Sequence, residues 1–246
     1  MELARYVGQG DITTLESWFA YAPPMGAEKQ WRDGRSAKEL ARYITSSLPN
    51  VPLGLDHLLR SFSSQDAAFD WAAEYVTDFA RYGYGRGMGR NHDMVIYNDD
   101  IFVGIEAKAD EPFGDKTIAD ELKKASTNKV FRINKLSELV FGDLANNHLD
   151  LRYQLLTACG AILLEALNRK IDNALFLVLE FRKRGLDDFG KPYFTNENVA
   201  RNNMDWKEFL IQTRASQTHE GYWRVLTHGQ CHNINLYVHK VQIDIP

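Results

Sequence analysis

The order of hydrophobic periods along the chain predicts a mixed α/β fold, a central mixed β-sheet flanked by helices. Three observations carry this. Near residue 94 the period changes to two: Met94-Val95-Ile96-Tyr97 and Ile101-Phe102-Val103-Gly104-Ile105 are joined by the turn-forming Asn98-Asp99-Asp100, which reads as a hairpin. Ala174-Leu175-Phe176-Leu177-Val178-Leu179 is apolar on both faces, as a central buried strand must be. Between them, Leu151, Leu155, Ala158, Ile162, Leu163 and Leu167 keep helical spacing.

The remaining elements follow in chain order. The first thirty residues run an aromatic cluster into Pro23-Pro24-Met25-Gly26 and read as an irregular arm. Ser36 and Glu39 have capping-box spacing, and Leu40, Tyr43, Ile44 and Leu48 continue a helix that Pro49 stops. A second helix is expected from Ser63, with Phe69, Ala72, Ala73, Val76, Phe79 and Ala80 as its apolar stripe. Asp70, Glu74, Asp78 and Arg81 fall on the opposite side. Residues 83–90 place glycine at every second position. This is no nucleotide loop, because a helix precedes it and a strand follows, the reverse of what phosphate binding at a helix N-terminus requires. Thr117 with Asp120 signals a further helix, Asn203 to Ile211 another, and Ile234 to Ile243 alternates as a last strand. The expectation is one domain over residues 1–246, with 1–60 as an N-terminal arm and helical extension and 61–246 as the core.

Composition narrows the function classes. Of 246 residues 44% are hydrophobic and 25% charged, which excludes a disordered tail, a collagen-like repeat and a membrane-embedded chain. Two cysteines make no disulfide framework, and no signal peptide or apolar run of spanning length is visible, so a cytoplasmic protein without membrane contact is expected. The net charge of -4 gives no global basic field, so nucleic acid would have to meet a local positive patch.

The chemistry-bearing pattern lies on the hairpin. With a turn of two or four residues, Asp93 falls opposite Glu106, and opposed Cβ atoms sit roughly 4.5–5.5 Å apart. Two carboxylates so placed repel unless a cation with oxygen ligands lies between them. By this reasoning Glu106→Gln should leave folding unchanged or improve it. Glu106 and Lys108 share a strand face, Ala107 points to the core, and Gly104 leaves room for a ligand. Two carboxylates that hold Mg²⁺ or Mn²⁺, with the Ala107 carbonyl as a further oxygen and a lysine to orient water, suit phosphodiester hydrolysis. Other acid-x-Lys triplets, Glu121-Leu122-Lys123 and Asp205-Trp206-Lys207, fall in helical pattern, where the two side chains diverge.

Asp93, twelve intervening residues and then Glu106-Ala107-Lys108 on a hairpin resembles the PD-(D/E)XK, restriction-endonuclease-like, nuclease superfamily. Several segments are closer to a bacterial family of unknown function assigned to it: Trp31-x-x-Gly34-Arg35-Ser36-Ala37, His92-Asp93, Gly104 to Lys108, Arg152 to Leu156 and Glu180-Phe181-Arg182. The resemblance implies a restriction-endonuclease-like core, Asp93 and Glu106 as metal ligands, and Lys108 as the water-orienting base or charge stabiliser. It adds Gln154 as a helix-borne site residue, although the tyrosine expected four residues later is Ala158 here. It also offers Glu74 as a ligand from the preceding helix. The expected activity is cation-dependent cleavage of nucleic acid, DNA first, leaving a 3′-hydroxyl and a 5′-phosphate. The competing reading is a catalytically silent scaffold that binds nucleic acid or protein. Enzymes of this class often dimerise, so a homodimer is left open.

Around the glycine loop, Arg81, Arg86 and Arg90 can grip phosphates, and Tyr82 and Tyr84 can stack bases. The alternative is a flexible surface loop with solubilising arginines. Lys123, Lys124 and Lys129 read as a solvated helix face, and Arg182-Lys183-Arg184 as a second small basic group. His228, Cys231 and His232 lack the second ligand pair that a structural zinc site needs.

Overall fold

The computed structural model describes residues 1–24, 26–186 and 190–245. The chain alternates strands and helices: β1 (Glu2–Tyr6), α1 (Leu15–Tyr21), α2 (Ser36–Thr45), α3 (Leu53–Leu59), β2 (Ala68–Thr77), β3 (Arg90–Tyr97) and β4 (Ile101–Lys108). Then follow α4 (Ile118–Leu122), α5 (Thr127–Phe141), α6 (Tyr153–Arg169), β5 (Asn173–Lys183), α7 (Asn196–Gln212), β6 (Ser216–Gln217), β7 (Trp223–Val225) and β8 (Asn235–Ile245). Among the described residues the eight strands form one mixed sheet, ordered β1-β2-β3-β4-β5-β8-β7-β6. Strands β4, β5 and β8 run parallel at its centre, while β2-β3-β4 and β8-β7-β6 are antiparallel. The predicted mixed α/β class is the observed one.

Strand β5 shows why its sequence lacks alternation. Ala174, Phe176 and Val178 enter the layer under α4 to α7, and Leu175, Leu177, Leu179 and Phe181 enter the layer under α1 to α3. Both faces are covered, so every position from Ala174 to Leu179 is apolar. The β3–β4 hairpin takes the expected register, Met94 opposite Ile105 through Tyr97 opposite Phe102. Gly104 differs from expectation. A Cβ there would lie 2.5 Å from Ile162 Cδ1, so the missing side chain lets α6 approach the sheet and leaves no ligand space.

Three further expectations are corrected. The N-terminal stretch is not an irregular arm: β1 pairs parallel with β2, and α1 buries Trp18 against Trp71 with ring centroids 5.9 Å apart. Met25, within its expected break, lies outside the described residues. The Ser36–Glu39 capping box does not form, since Glu39 is buried and accepts from Gly34 N at 2.6 Å while α2 begins without a side-chain cap. The helix expected from Ser63 is strand β2, with Phe69, Trp71 and Ala73 in one layer and Ala72 in the other. Two buried faces produced apolar positions at helical intervals by coincidence.

Candidate metal centre

The ladder between β3 and β4 ends at Met94–Ile105, one residue short of the two acids. Beyond it the Asp93 side chain substitutes for backbone: its Oδ2 accepts from Ala107 N at 2.7 Å. The carboxylate is thereby fixed across the hairpin mouth beside Glu106. Burial and the adjoining charge of Glu106 push Asp93 well above the usual carboxylate range.

Glu106 is 3% exposed and closely surrounded by donors. Lys108 Nζ and Gln154 Nε2, from β4 and the first turn of α6, reach its Oε1 at 2.7 and 2.6 Å. Arg90 Nη2, from the start of β3, pairs with its Oε2. Burial alone would raise Glu106, but Arg90 and Lys108 hold it below the ordinary value. Burial would likewise lower Lys108, yet Glu106, Glu111 and Asp93 keep it above its usual value and charged. The expected residues Asp93, Glu106, Lys108, Arg90 and Gln154 therefore converge on one cleft of about 410 Å³.

Glu74 also lines this cleft, although from a strand. Its φ of +48° interrupts the alternation of β2: Trp71 and Ala73 face the α1–α3 layer, whereas Tyr75 turns into the other layer and donates to Glu165 of α6 at 3.1 Å. A non-glycine residue in the left-handed region is uncommon and concentrates at functional sites. Asn91 Nδ2 donates to Glu74, and burial raises its carboxyl to about 7.

Sequence reasoning missed part of the lining. Glu111 enters beyond β4, its Oε2 accepting from Ala109 N and Asp110 N at 3.2 and 3.1 Å. Arg35, Ser36 and Ala37 bring the first turn of α2 to the opposite wall. That segment belongs to the supposed extension, and its placement beside the acids had no signal in local spacing.

A second cleft of about 710 Å³ adjoins the first and shares Arg90, Asn91 and Gln154 with it. Its wall is the glycine-rich loop, which Arg132 of α5 ties down through its backbone carbonyls. Gly83, Gly85 and Gly87 have φ of +77°, +86° and +122°, values that favour glycine. The buried Arg132 guanidinium then donates to the carbonyls of Tyr84, Gly85, Arg86 and Met88 at 2.6–3.3 Å. Arg86 and Lys116 stand at the rim. Lys129, its side chain 37% exposed, lines this cleft and pairs with Glu121. Arg81 lines neither cleft and lies 5.9 Å from the Tyr82 ring centroid. Tyr84 is buried, with its hydroxyl accepting from Gln230 at 3.1 Å, and is closed to base stacking.

The donor set fits a hard divalent cation in a limited sense. Among the described residues no three Asp, Glu, His or Cys side chains gather as a metal site. Asp93 and Glu106 supply two carboxylates, and Mg²⁺ characteristically takes one or two, completing its shell with water and substrate phosphate. Cys231, of the weighed zinc motif, is buried with Sγ 3.7 Å from the Leu163 carbonyl. Among the described residues no helix is long and apolar enough to cross a membrane. Over residues 11–245 the chain matches, and belongs to, the family described as a domain of unknown function, DUF6946. Neither the curated proteins nor the solved structures contain a match.

Proposed function

Starting from a family described only as a domain of unknown function, we propose that this protein is a Mg²⁺- or Mn²⁺-dependent nuclease, acting on DNA first among nucleic acids. The observation that carries the reading is the convergence of Asp93, Glu106, Lys108 and Gln154 in a cleft that opens onto a basic one. The charge of Asp93, disfavoured by burial and by Glu106, is costly to a fold with no use for it. The same constellation underlies the resemblance to the PD-(D/E)XK superfamily. A divalent cation held by Asp93 and Glu106, with the Ala107 carbonyl within the same turn of chain, would polarise the scissile phosphate and make water more acidic.

The chain's own groups do the rest. Lys108, charged and fixed 2.7 Å from Glu106, orients the attacking water and offsets charge developing on the phosphate. Gln154 fixes Glu106 through Nε2 and keeps a buried Oε1 without a partner among the described residues, available to a water proton. Arg90, in line with both clefts, holds a phosphate oxygen. The test is incubation of the intact chain with single- and double-stranded DNA and RNA, with Mg²⁺ or Mn²⁺, followed by analysis of product ends. Cleavage that disappears in Lys108→Ala and Asp93→Asn supports the reading, and no cleavage of any substrate in either metal contradicts it. One observation favours a silent nucleic-acid-binding scaffold instead: both Glu106 oxygens are already taken by Arg90, Lys108 and Gln154. For that scaffold, nucleic acid would bind without any dependence on divalent cation.

A further inference from the structure

The two clefts meet at three side chains, Arg90, Asn91 and Gln154, which line both. Each contributes a buried polar atom with no hydrogen-bond partner among the described residues: Arg90 Nε, Asn91 Oδ1 and Gln154 Oε1. Buried polar atoms are ordinarily satisfied, and three orphans at one junction mark where a ligand completes the structure.

The larger cleft has the character of a polyanion seat. Arg86 is exposed and pairs with no carboxylate among the described residues, and Lys116 is 64% exposed at the rim. Arg86, Arg90, Lys116, Lys129 and Arg132 outnumber Asp115 and Glu121. Ser126 and Asn128 bring in the N-terminus of the 15-residue helix α5, the positive end of its dipole. At about 710 Å³ the cleft exceeds a single phosphate and suits a short run of them.

Arg90 belongs to both environments. Of the three groups on Glu106, Lys108 lines only the acidic cleft and is 5% exposed, so moving it would strand a buried cation. Gln154 is neutral. Arg90 alone has an alternative anion to turn to, because a phosphate in the basic cleft can take its guanidinium through the unpartnered Nε. We infer that the basic cleft holds consecutive nucleic-acid phosphates and that their arrival draws Arg90 off Glu106, so that polyanion and divalent cation bind cooperatively. The inference rests on the metal-centre reading above. It makes Arg90 a positioning residue that keeps Glu106 closed to cations until substrate is present. Linkage requires the effect to be reciprocal.

The test is a Mn²⁺ titration of the intact chain by calorimetry, alone and with a short single-stranded phosphorothioate oligodeoxynucleotide. Mn²⁺ binding is expected to tighten about tenfold with the oligonucleotide, within the usual range for coupled sites, and Mn²⁺ should tighten the oligonucleotide by the same factor. Arg90→Gln should bind Mn²⁺ alone as tightly as the wild type does with oligonucleotide and should show no coupling. Arg86→Ala should weaken the oligonucleotide and leave Mn²⁺ affinity unchanged, separating contact with Glu106 from general loss of positive charge. Equal Mn²⁺ affinity of the wild type with and without oligonucleotide overturns the inference and leaves the metal centre standing. Absence of Mn²⁺ binding in every combination, Arg90→Gln included, overturns the metal-centre reading itself. The wild-type comparison needs no variant, so a folding defect in Arg90→Gln does not remove the test.

Discussion

Neutralising one carboxylate of the hairpin should act in opposite directions at its two positions. From the opposed charges alone, Glu106→Gln is expected to be neutral or stabilising, but the structure reverses that sign. Glu106 is the shared counter-ion of Lys108 and Arg90, whose side chains are 6% and 13% exposed against its own 4%. Removing one partner from a buried pair costs about 3–5 kcal/mol, because it leaves an uncompensated charge out of water. Arg90 retains partial access to solvent, which places the expected loss near the lower figure, about 3 kcal/mol. For a chain of this size that is roughly 2–4 °C of Tm per kcal/mol.

Asp93→Asn keeps the bond from Ala107 N, since an amide oxygen accepts as a carboxylate does. It removes a charge that burial and Glu106 disfavour, so a gain in stability at neutral pH is expected. The pH dependence has a defined sign. Because the folded Asp93 carboxyl lies above its unfolded value, its contribution is fully present below the unfolded pKa and lost as pH rises through the folded one. The Asn variant should flatten that decline. Urea unfolding of both variants with a chelator present, at acid and neutral pH, measures all of this. A Glu106→Gln variant as stable as the wild type would show that Glu106 does not hold Arg90 and Lys108, and the electrostatic description of the site would fall with it.

Other expectations are independent of this pair. Gly104→Ala should destabilise by about 1–3 kcal/mol through overpacking, since its Cβ would lie 2.5 and 2.6 Å from Ile162 Cδ1 and Cγ1, and Ile162→Ala, which removes both atoms, should cost less in that background than alone in a thermal melt. His92 is fully buried with neither ring nitrogen bonded among the described residues, and burial lowers it to about 3. Its contribution is present above its unfolded pKa and lost as pH falls toward the folded value, by up to about 5 kcal/mol, so His92→Leu should weaken the acid limb of the stability curve. Arg132→Met should release the glycine loop, seen as faster amide exchange over residues 83–89 while exchange in β5 is unchanged. Under the nuclease reading, Lys108→Ala should lower kcat by at least about a hundredfold with little change in nucleic-acid affinity, measured by single-turnover cleavage and by binding.

What was legible in the sequence is what local rules determine. The hairpin register follows from turn length and alternation, and with it the approach of Asp93, Glu106 and Lys108. The central strand follows from its two apolar faces. Strand β2 failed for a related reason: with both faces covered its apolar residues do not alternate, and Phe69, Ala72, Ala73 and Val76 fall by chance at helical intervals. Its aromatic and β-branched content, in Trp71, Tyr75 and Val76, was the signal available against a helix.

The same strand explains how a wrong element still yielded the right acid. In regular alternation Glu74 would share the face of Ala72, in the layer under α4 to α7, between Ala73 opposite Met94 and Tyr75 opposite His92. The left-handed φ at Glu74 resets the face, sending Tyr75 to Glu165 and leaving the Glu74 carboxyl at the cleft beside Asn91. No periodicity encodes one backbone angle, and an L-residue holds it only where its surroundings enforce it. Glu74→Gly relaxes that angle but deletes the carboxyl, whereas Glu74→Gln keeps the strained residue without its ionisation. Burial holds Glu74 near 7, so its stabilising neutral form is lost as pH rises through that value. Glu74→Gln should therefore be more stable than the wild type above neutral pH and equal to it below the ordinary glutamate pKa. If the two stability curves coincide across the whole range, Glu74 sits at the cleft for its backbone alone, and its claim to be a third oxygen ligand fails.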